Sequence, residues 1–267
     1  MKRETSNAVR FVLEELLPPI ARDSRLFRWL AGLAWGGHIE HLAQFRSRAA
    51  SLTDAEFEAL YRRHPRVHDG TDNSAACVRR IVHDVLGRSV LDVGCGTGFL
   101  LQAIAADHPP FDRITGLDLV LLDTPDLDRP DLDRPDLDRI DFNRIEFVEG
   151  RIERLPFLAA SFDTVVCTHV VEHILDLRAA IAELRRVARR RLIIVVPCER
   201  EGLTTFNPHF HFFPYSHSFL RAMIPLPERH QCLLIGRDIY YVEELEPAHT
   251  TSLERPQLPR PIAVEAD

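Results

Sequence analysis

Apolar and polar positions follow two different periods along this chain. Over residues 5–17, 23–34 and 38–50, apolar side chains recur every three or four positions, which predicts three amphipathic helices. A fourth helix is predicted to begin after Thr53, with Thr53 as its N-cap and Glu56 completing a capping box. Together these helices are expected to form an N-terminal cap that packs on the rest of the protein.

From residue 74 onward, helical stretches are separated by short runs rich in Val, Leu and Ile. Such runs are typical of parallel strands that are covered on both faces. The predicted strands are 89–93, 114–119, 145–149, 162–168 and 191–196, followed by two antiparallel strands, 231–236 and 239–242. Helices are predicted over 74–86, 179–188 and 216–224. This alternation predicts an α/β fold with a doubly wound, mostly parallel sheet.

The same pattern divides the chain into three parts. Residues 1–73 form the helical cap and a linker, residues 74–245 form the α/β domain, and residues 246–267 form a proline-rich, flexible tail. The linker, residues 61–73, is polar and rich in turn formers. It has two interpretations, a surface connection or a lid that folds over a bound ligand.

A short internal repeat interrupts the α/β domain. Residues 124–139 read TPDLDRPDLDRPDLDR, which is three near-perfect copies of a five-residue unit. A proline in every copy excludes a regular α-helix, because each proline removes an amide donor and crowds the preceding turn. The spacing of the aspartates differs from that of an EF-hand calcium loop. The segment is therefore predicted to be an extended or turn-rich surface insertion without a catalytic role.

Composition and charge narrow the class of partner. The formal net charge of −7 offers no general attraction to nucleic acid or to an anionic membrane. The five cysteines contain no C-x-x-C pair, which is typical of reduced thiols in a cytoplasmic protein. No apolar run reaches 18 residues, so no membrane-spanning helix is expected. The oligomeric state is left open.

A glycine-rich turn follows the first strand of the α/β domain, in the segment RSVLDVGCGTGFL (88–100). Gly94, Gly96 and Gly98 remove side chains where the backbone must turn sharply and approach a ligand closely. Their spacing is not that of the G-x-G-x-x-G dinucleotide fingerprint, which argues against a dehydrogenase, and no Gly-Lys-Ser/Thr follows, which excludes a P-loop. Asp92 ends the strand at the edge where open α/β sheets bind ligands.

The segment D-V-G-C-G-T-G resembles the cofactor-binding motif of class I S-adenosylmethionine-dependent methyltransferases, of the type 11-like kind. Three later pieces resemble the family in the same order: ITGLDL (114–119), FVEGRIERLPF (147–157) and SFDTVVCTHVVEHILDL (161–177). The resemblance implies S-adenosylmethionine as cofactor and a seven-stranded, Rossmann-like methyltransferase sheet. It implies these cofactor-binding residues: Asp92, Gly94, Cys95, Gly96, Gly98, Asp118, Leu119, Arg151, Ile152 and His169.

Two of these positions, Asp118 and Arg151, are expected to determine how the ribose and the adenine are bound. Asp118 ends the second strand about 20 residues after the glycines, where such folds place an acid on the ribose hydroxyls. Arg151 departs from the family, whose members commonly carry an aspartate there that contacts the adenine amino group. Adenine recognition is therefore expected to rest on backbone amides and on packing by Ile152.

The end of the fourth strand carries the residues predicted for the chemistry. The segment H-V-V-E-H, His169 to His173, would face the same crevice as the glycines. His173 and His169 are the predicted catalytic residues, and the imidazole of His173 suits removal of a proton from a hydroxyl. Alternatively, the segment resembles the Glu-x-x-Glu-His motif of ubiquinone-biosynthesis O-methyltransferases and small-RNA 2′-O-methyltransferases. His169, Glu172, His173 and the downstream His209 would then bind a divalent metal.

These observations predict a methyltransferase that acts on an oxygen of a small-molecule acceptor, with or without a metal. Two alternatives stay open. In the first alternative the acceptor is RNA, which would require a basic surface around the pocket; the acidic composition argues against it. In the second alternative the protein binds the cofactor without catalysing a reaction; the intact glycines and the two acidic residues argue against it.

Overall fold

The computed structural model describes residues 17–27, 29–30, 51–63, 71–107, 111–121, 145–201 and 209–245. Several predicted features lie outside these ranges: residues 5–16 and 38–50 of the N-terminal helices, the repeat at 124–139, and the tail from residue 246. Within the described ranges, no helix combines the length and the apolar character that crossing a bilayer requires.

In the N-terminal helical region, the described residues include the helices α1 (Pro19–Arg22) and α2 (Asp54–Arg63), and residues 25–27 and 29–30 are also helical. The start of α2 confirms the predicted capping box. The backbone N–H of Glu56 donates to the Thr53 hydroxyl over 3.3 Å, and the backbone N–H of Thr53 donates to the Glu56 carboxylate over 2.8 Å. The helix therefore begins at Asp54 because two backbone donors that lack helical partners are satisfied reciprocally.

Seven strands form one sheet in the order β3-β2-β1-β4-β5-β7-β6. Strands β1 to β5 are parallel to one another, and β7 pairs antiparallel with both β5 and β6. The strands are β1 (Ser89–Val93), β2 (Arg113–Asp118), β3 (Ile145–Glu149), β4 (Phe162–Thr168), β5 (Ala188–Pro197), β6 (His230–Ile235) and β7 (Asp238–Glu244). The mostly parallel, seven-stranded sheet that the pattern and the resemblance predicted is confirmed.

Helices cover both faces of the sheet and give it two hydrophobic cores. The helices of the α/β domain are α3 (Ala75–Asp84), α4 (Phe99–Asp107), α5 (Leu177–Val187) and α6 (Ser216–Ala222). Ile81 of α3 and Leu101 of α4 pack into one core, whereas Leu184 of α5 and Phe219 of α6 pack into the other. Because β4 is buried along its whole length, its sequence does not alternate between apolar and polar residues as that of a half-exposed strand does.

The boundary between α5 and β5 differs from the predicted one. The helix was expected to include Ala188 and the strand to start at Arg191. Instead the strand begins at Ala188, which pairs with Phe162 of β4. Pairing in the sheet outweighs the local preference of this arginine-rich stretch, because Arg189 forms an ion pair with the buried Asp163.

Candidate functional site

The carboxyl ends of β1 and β4 mark the place where the strand order reverses. Strands β2 and β3 lie on one side of β1, and β4 and β5 lie on the other. The loops that leave β1 and β4 therefore diverge to opposite faces of the sheet and leave a crevice between them. Ligands of open α/β sheets bind at such a switch point.

The glycine turn after β1 depends on backbone conformations that other residues rarely adopt. Gly94, Gly96 and Gly98 have φ angles of 80°, 54° and 76°, all in the left-handed region. A Cβ at Gly94 would overlap with the side chain of Val170, and one at Gly98 would lie 2.9 Å from the ring of Phe147. These two glycines are therefore required by close packing as well as by the turn.

Both acidic residues predicted for the cofactor lie at this turn. The carboxylate of Asp118 accepts hydrogen bonds from the backbone N–H of Gly96, over 2.7 Å, and of Leu119, over 2.8 Å. Asp92 is buried on β1, where it stands in register with Gly116 of β2 and Val166 of β4. A carboxylate therefore lies on each side of the turn. Carboxylates in this position can accept hydrogen bonds from hydroxyl groups and can stabilise a cationic group of a ligand.

The remaining residues predicted to bind cofactor occupy different surroundings. Cys95 is buried and packs against Gly116, where a Cβ would lie 2.8 Å from its sulfur. Ile152 is buried in the core beside Leu117. The guanidinium of Arg151 lies 5.8 Å from the ring centroid of Phe57 in α2, so this arginine connects the N-terminal helical region to the domain.

The electrostatics of the crevice are dominated by carboxylates. Burial raises the pKa of the Cys167 thiol on β4, and the negative charges of Glu172, Asp92 and Asp118 raise it further. Asp92 lies near the end of β1, Asp118 ends β2 and Glu172 follows β4, so the three carboxylates lie at the same edge of the sheet. A concentration of negative charge in a low-dielectric site favours a cationic ligand.

A group of three potential metal ligands lies immediately after β4. Glu172 and His173 belong to a 3₁₀ turn, Val171–His173, and His209 approaches from a later segment. One potential ligand atom from each of these three residues lies within 4.8 Å of the other two. The backbone carbonyl of Glu172 accepts hydrogen bonds from the N–H groups of Phe210 (2.8 Å) and His211 (3.1 Å), which hold the two segments together.

The surroundings of this group fit a cation. Glu172 is fully buried, and neither carboxylate oxygen has a hydrogen-bond partner in the described part of the chain. Burial therefore raises the pKa of Glu172 to about 8, although the nearby His209 lowers it. The Nδ1 atom of His209 contacts the carboxylate of Glu199, which leaves Nε2 as the ligating nitrogen. A carboxylate behind a histidine is the usual outer support of a metal ligand.

His169 lies beside this group rather than within it. Its Nδ1 is 3.7 Å from a carboxylate oxygen of Glu172, and its Nε2 is 3.7 Å from a carboxylate oxygen of Asp238. Its backbone has a φ of 54°, an unusual conformation for a residue with a side chain. Strained residues of this kind are concentrated at functional sites, where the surrounding structure holds them in place.

Three residues at this edge were not found from the sequence: Asn73, Glu199 and Asp238. Asn73 precedes α3, Glu199 follows β5, and Asp238 begins β7. Only their positions next to strand and helix ends could have indicated them. Glu199 and Asp238 approach the crevice because β7 runs antiparallel to β5 and so starts at the edge where β5 ends, with Asp238 in register with Pro197. Asn73 is held at the end of β4 by a hydrogen bond from its side-chain amide to the Thr168 hydroxyl.

Residues 91–196 match the family model described as a methyltransferase domain. Among solved structures, YcgJ from Bacillus subtilis is 24% identical over 45% of this chain and 50% of its own, with a TM-score of 0.36. This chain thus spans half the length of YcgJ. A putative methyltransferase from Bacillus halodurans C-125 is 20% identical over 58% of this chain and 70% of its own, with a TM-score of 0.44. Magnesium protoporphyrin IX methyltransferase from Synechocystis PCC 6803, with bound SAH, is 17% identical over 63% of this chain and 82% of its own, with a TM-score of 0.46. The chain has no significant match among curated proteins.

Proposed function

We propose that this chain, whose residues 91–196 match a methyltransferase domain model, transfers the methyl group of S-adenosylmethionine to a hydroxyl oxygen of a small-molecule acceptor. The observation that carries the proposal is the group formed by Glu172, His173 and His209. It lies after β4, at the same edge as the glycine turn after β1. Cofactor and acceptor would therefore meet at the switch point of the sheet.

The cofactor end of the site has suitable groups for S-adenosylmethionine. Asp118 uses its carboxylate to order the glycine turn through Gly96, and its remaining lone pairs would accept hydrogen bonds from the ribose hydroxyls. When bound, the cofactor supplies an electrophilic methyl group on a sulfonium. The chain's contribution is chiefly alignment, which is worth several kcal/mol in such displacements.

A divalent cation fits the acceptor end. Glu172, His173 and His209 would hold it, because a fully buried carboxylate without hydrogen bonds is costly unless a cation compensates it. When bound, such an ion lowers the pKa of a coordinated hydroxyl. Glu199 would keep His209 in the tautomer that ligates through Nε2.

The two histidines predicted to be catalytic then have different roles. His173 belongs to the cation group, whereas His169 lies outside it and close to Asp238. His169 would accept the proton that the acceptor hydroxyl loses as its oxygen bonds to the methyl carbon. The carboxylates of Asp238 and Glu172 would stabilise the resulting imidazolium.

A small molecule is a better acceptor than RNA for this surface. The chain's formal net charge is −7, and three of the arginines around α5 and β5 form ion pairs within the fold. Arg185 pairs with the buried Glu243, Arg189 with Asp163, and Arg191 with Glu244. These guanidinium groups form ion pairs inside the domain instead of a phosphate-binding patch.

Two measurements test the proposal. Calorimetric titration with Mn²⁺ should show binding to the wild-type chain and binding at least about tenfold weaker to Glu172→Gln, since one ligand loses its charge. The control Glu146→Gln changes a side chain on the edge strand β3 that is 56% exposed, and should bind Mn²⁺ like the wild type. A wild-type chain that binds no Mn²⁺ would contradict the cation.

The acceptor class is tested by S-adenosylhomocysteine release with a panel of phenols, catechols and aliphatic alcohols, and with single-stranded RNA. We expect release with a hydroxyl compound and none with RNA. His169→Ala should lower that rate by about 10²-fold or more while Mn²⁺ binding persists, as expected for loss of a general base. Release with RNA alone would overturn the choice of acceptor, and release with neither would favour a module without activity.

A further inference from the structure

The segment before α3 reaches into the cofactor crevice through Asn73. The side-chain amide of Asn73 donates one hydrogen bond to the Thr168 hydroxyl over 2.9 Å and another to the Thr71 hydroxyl over 3.1 Å. Thr168 is the last residue of β4, immediately before His169. Asn73, which is only 5% exposed, is therefore attached to the strand end that faces the methyl-transfer site.

One atom of this buried amide has no partner in the described residues. Both N–H groups of Asn73 are used by hydroxyl oxygens, but its Oδ1 is buried and accepts no hydrogen bond. A buried acceptor of this kind destabilises the fold unless a donor satisfies it. Buried polar side chains are satisfied in almost all folded proteins, so the exception points to a ligand that brings the donor.

The surroundings of Asn73 indicate a positively charged donor. Asp72 is adjacent to Asn73 in sequence. Asp92 is buried at the end of β1, the strand next to β4. A neutral hydroxyl would satisfy Oδ1, but only a cation would also be stabilised by these neighbouring carboxylates.

The dimensions of the sheet indicate which cation this is. With the ribose at Asp118 on β2, the rest of the cofactor must extend across β1 towards β4. Two interstrand spacings amount to about 10 Å, a span that the methionine part of S-adenosylmethionine can cover. Its α-ammonium, which carries three N–H donors, would then arrive at the end of β4 beside Asn73.

We propose that Asn73 binds the α-ammonium group of the cofactor's methionine moiety through Oδ1, so that residues 71–73 are part of the cofactor site. This inference rests on the cofactor binding proposed above. It resolves the two interpretations of the linker in favour of a functional one for its last three residues. Thr168 and Thr71 orient the amide, and Asn73 accepts the hydrogen bond.

Two ligands that differ only at the amino-acid end test the proposal. S-Adenosylhomocysteine carries the α-ammonium, whereas 5′-methylthioadenosine has the same nucleoside and thioether but no amino acid. In calorimetric titrations, Asn73→Ala should lower the affinity for S-adenosylhomocysteine about tenfold or more, as for loss of a hydrogen bond to a charged group. The affinity for 5′-methylthioadenosine should change less than about twofold.

Two further variants keep the test decisive. Thr168→Val leaves Asn73 in place but removes the hydroxyl that orients it, and should lower only the affinity for S-adenosylhomocysteine. Ser161→Ala removes a buried hydroxyl that has no partner in the described residues, at the opposite end of β4, and should alter neither affinity. Equal losses for both ligands, or no loss in Asn73→Ala, would overturn the role of Asn73. A wild-type chain that binds neither ligand would instead contradict the proposed function.

Discussion

The backbone N–H of Gly96 donates a 2.7 Å hydrogen bond to the carboxylate of Asp118. This contact joins the turn after β1 to the end of β2 and so couples two parts of the proposed cofactor site that are 22 residues apart in the chain. The left-handed backbone of Gly96, with a φ of 54°, directs its N–H towards the acid. The shape of the turn and the position of the proposed ribose acceptor therefore depend on each other.

Replacing Asp118 should weaken cofactor binding more than it weakens folding. In Asp118→Ala the ribose loses a charged acceptor, and the Gly96 N–H loses its partner. We expect affinity for S-adenosylhomocysteine, measured by calorimetry, to fall about 10- to 100-fold, which corresponds to about 1.5–3 kcal/mol. Asp112→Ala serves as the control because that side chain is 66% exposed just before β2, and it should bind normally. Equal affinity in the two variants would contradict the ribose assignment.

Replacement by alanine should destabilise the fold more at Gly94 than at Gly236, although both glycines have a left-handed backbone conformation. Gly94 and Gly236 have φ angles of 80° and 64°, so alanine costs about 1–2 kcal/mol of conformational strain at either position. Only at Gly94 would the new Cβ overlap with Val170, whereas nothing lies within 4 Å at Gly236. Overpacking should add about 1–3 kcal/mol to the cost.

Urea unfolding of Gly94→Ala and Gly236→Ala measures this difference directly. The unfolding free energy of Gly94→Ala should be lower than that of Gly236→Ala by the overpacking contribution. Similar values for both variants would mean that Val170 moves aside without cost, and that the turn is less tightly packed against the β4 loop than the structure indicates.

Because the backbone of His169 is strained, replacing this residue by glycine should stabilise the fold relative to alanine, although either variant loses the imidazole needed for activity. A side chain at a φ of 54° is strained, and glycine relieves the strain. We expect His169→Gly to be more stable than His169→Ala by about 1 kcal/mol in urea unfolding. Both variants remove the imidazole and should be equally slow in methyl transfer. If His169→Ala were as stable as His169→Gly, the conformation would not be strained.

Asp163 should account for part of the acid sensitivity of the fold. Burial would raise the pKa of Asp163, but hydrogen bonds from the Arg88 backbone, Arg189 and Ser89 outweigh burial and hold the pKa below its ordinary value. The ionised carboxylate therefore stabilises the fold above the unfolded-state pKa of about 3.9. That contribution is lost as the pH falls through the lower, folded-state pKa.

Asp163→Asn should accordingly cost about 1–3 kcal/mol of unfolding free energy at pH 7 and progressively less below pH 4. The measurement is urea unfolding across this pH range. Ile193→Val provides the control, because it trims a fully buried, uncharged side chain. It should cost about 1 kcal/mol at every pH. A cost of Asp163→Asn that is independent of pH would contradict the ionic role of Asp163.

Much of the fold follows from local signals in the sequence. The mostly apolar segments 89–93 and 162–168 predict β1 and β4 with correct bounds, because strands that are buried on both faces are rich in apolar residues. The Thr53 and Glu56 pair predicts the start of α2, because capping depends only on residues within one turn. The spacing of the glycines and of Asp118 likewise indicates the cofactor site, because those residues act through the backbone next to them.

The long-range parts of the site depend on the tertiary structure. Sequence spacing groups His169 with Glu172, His173 and His209, but the folded chain places His169 beside Asp238 and leaves the other three together. Asn73, Glu199 and Asp238 carry no local signature. Glu199 and Asp238 reach the crevice through parallel pairing of β4 with β5 and antiparallel pairing of β5 with β7, and Asn73 reaches it through a hydrogen bond to Thr168 of β4. The sequence by itself determined the strands, the glycine turn and its acids, since these follow from propensity and backbone geometry. The tertiary structure alone decided which side chains share the buried edge, because strand order, not distance along the chain, brings them within hydrogen-bonding and electrostatic range.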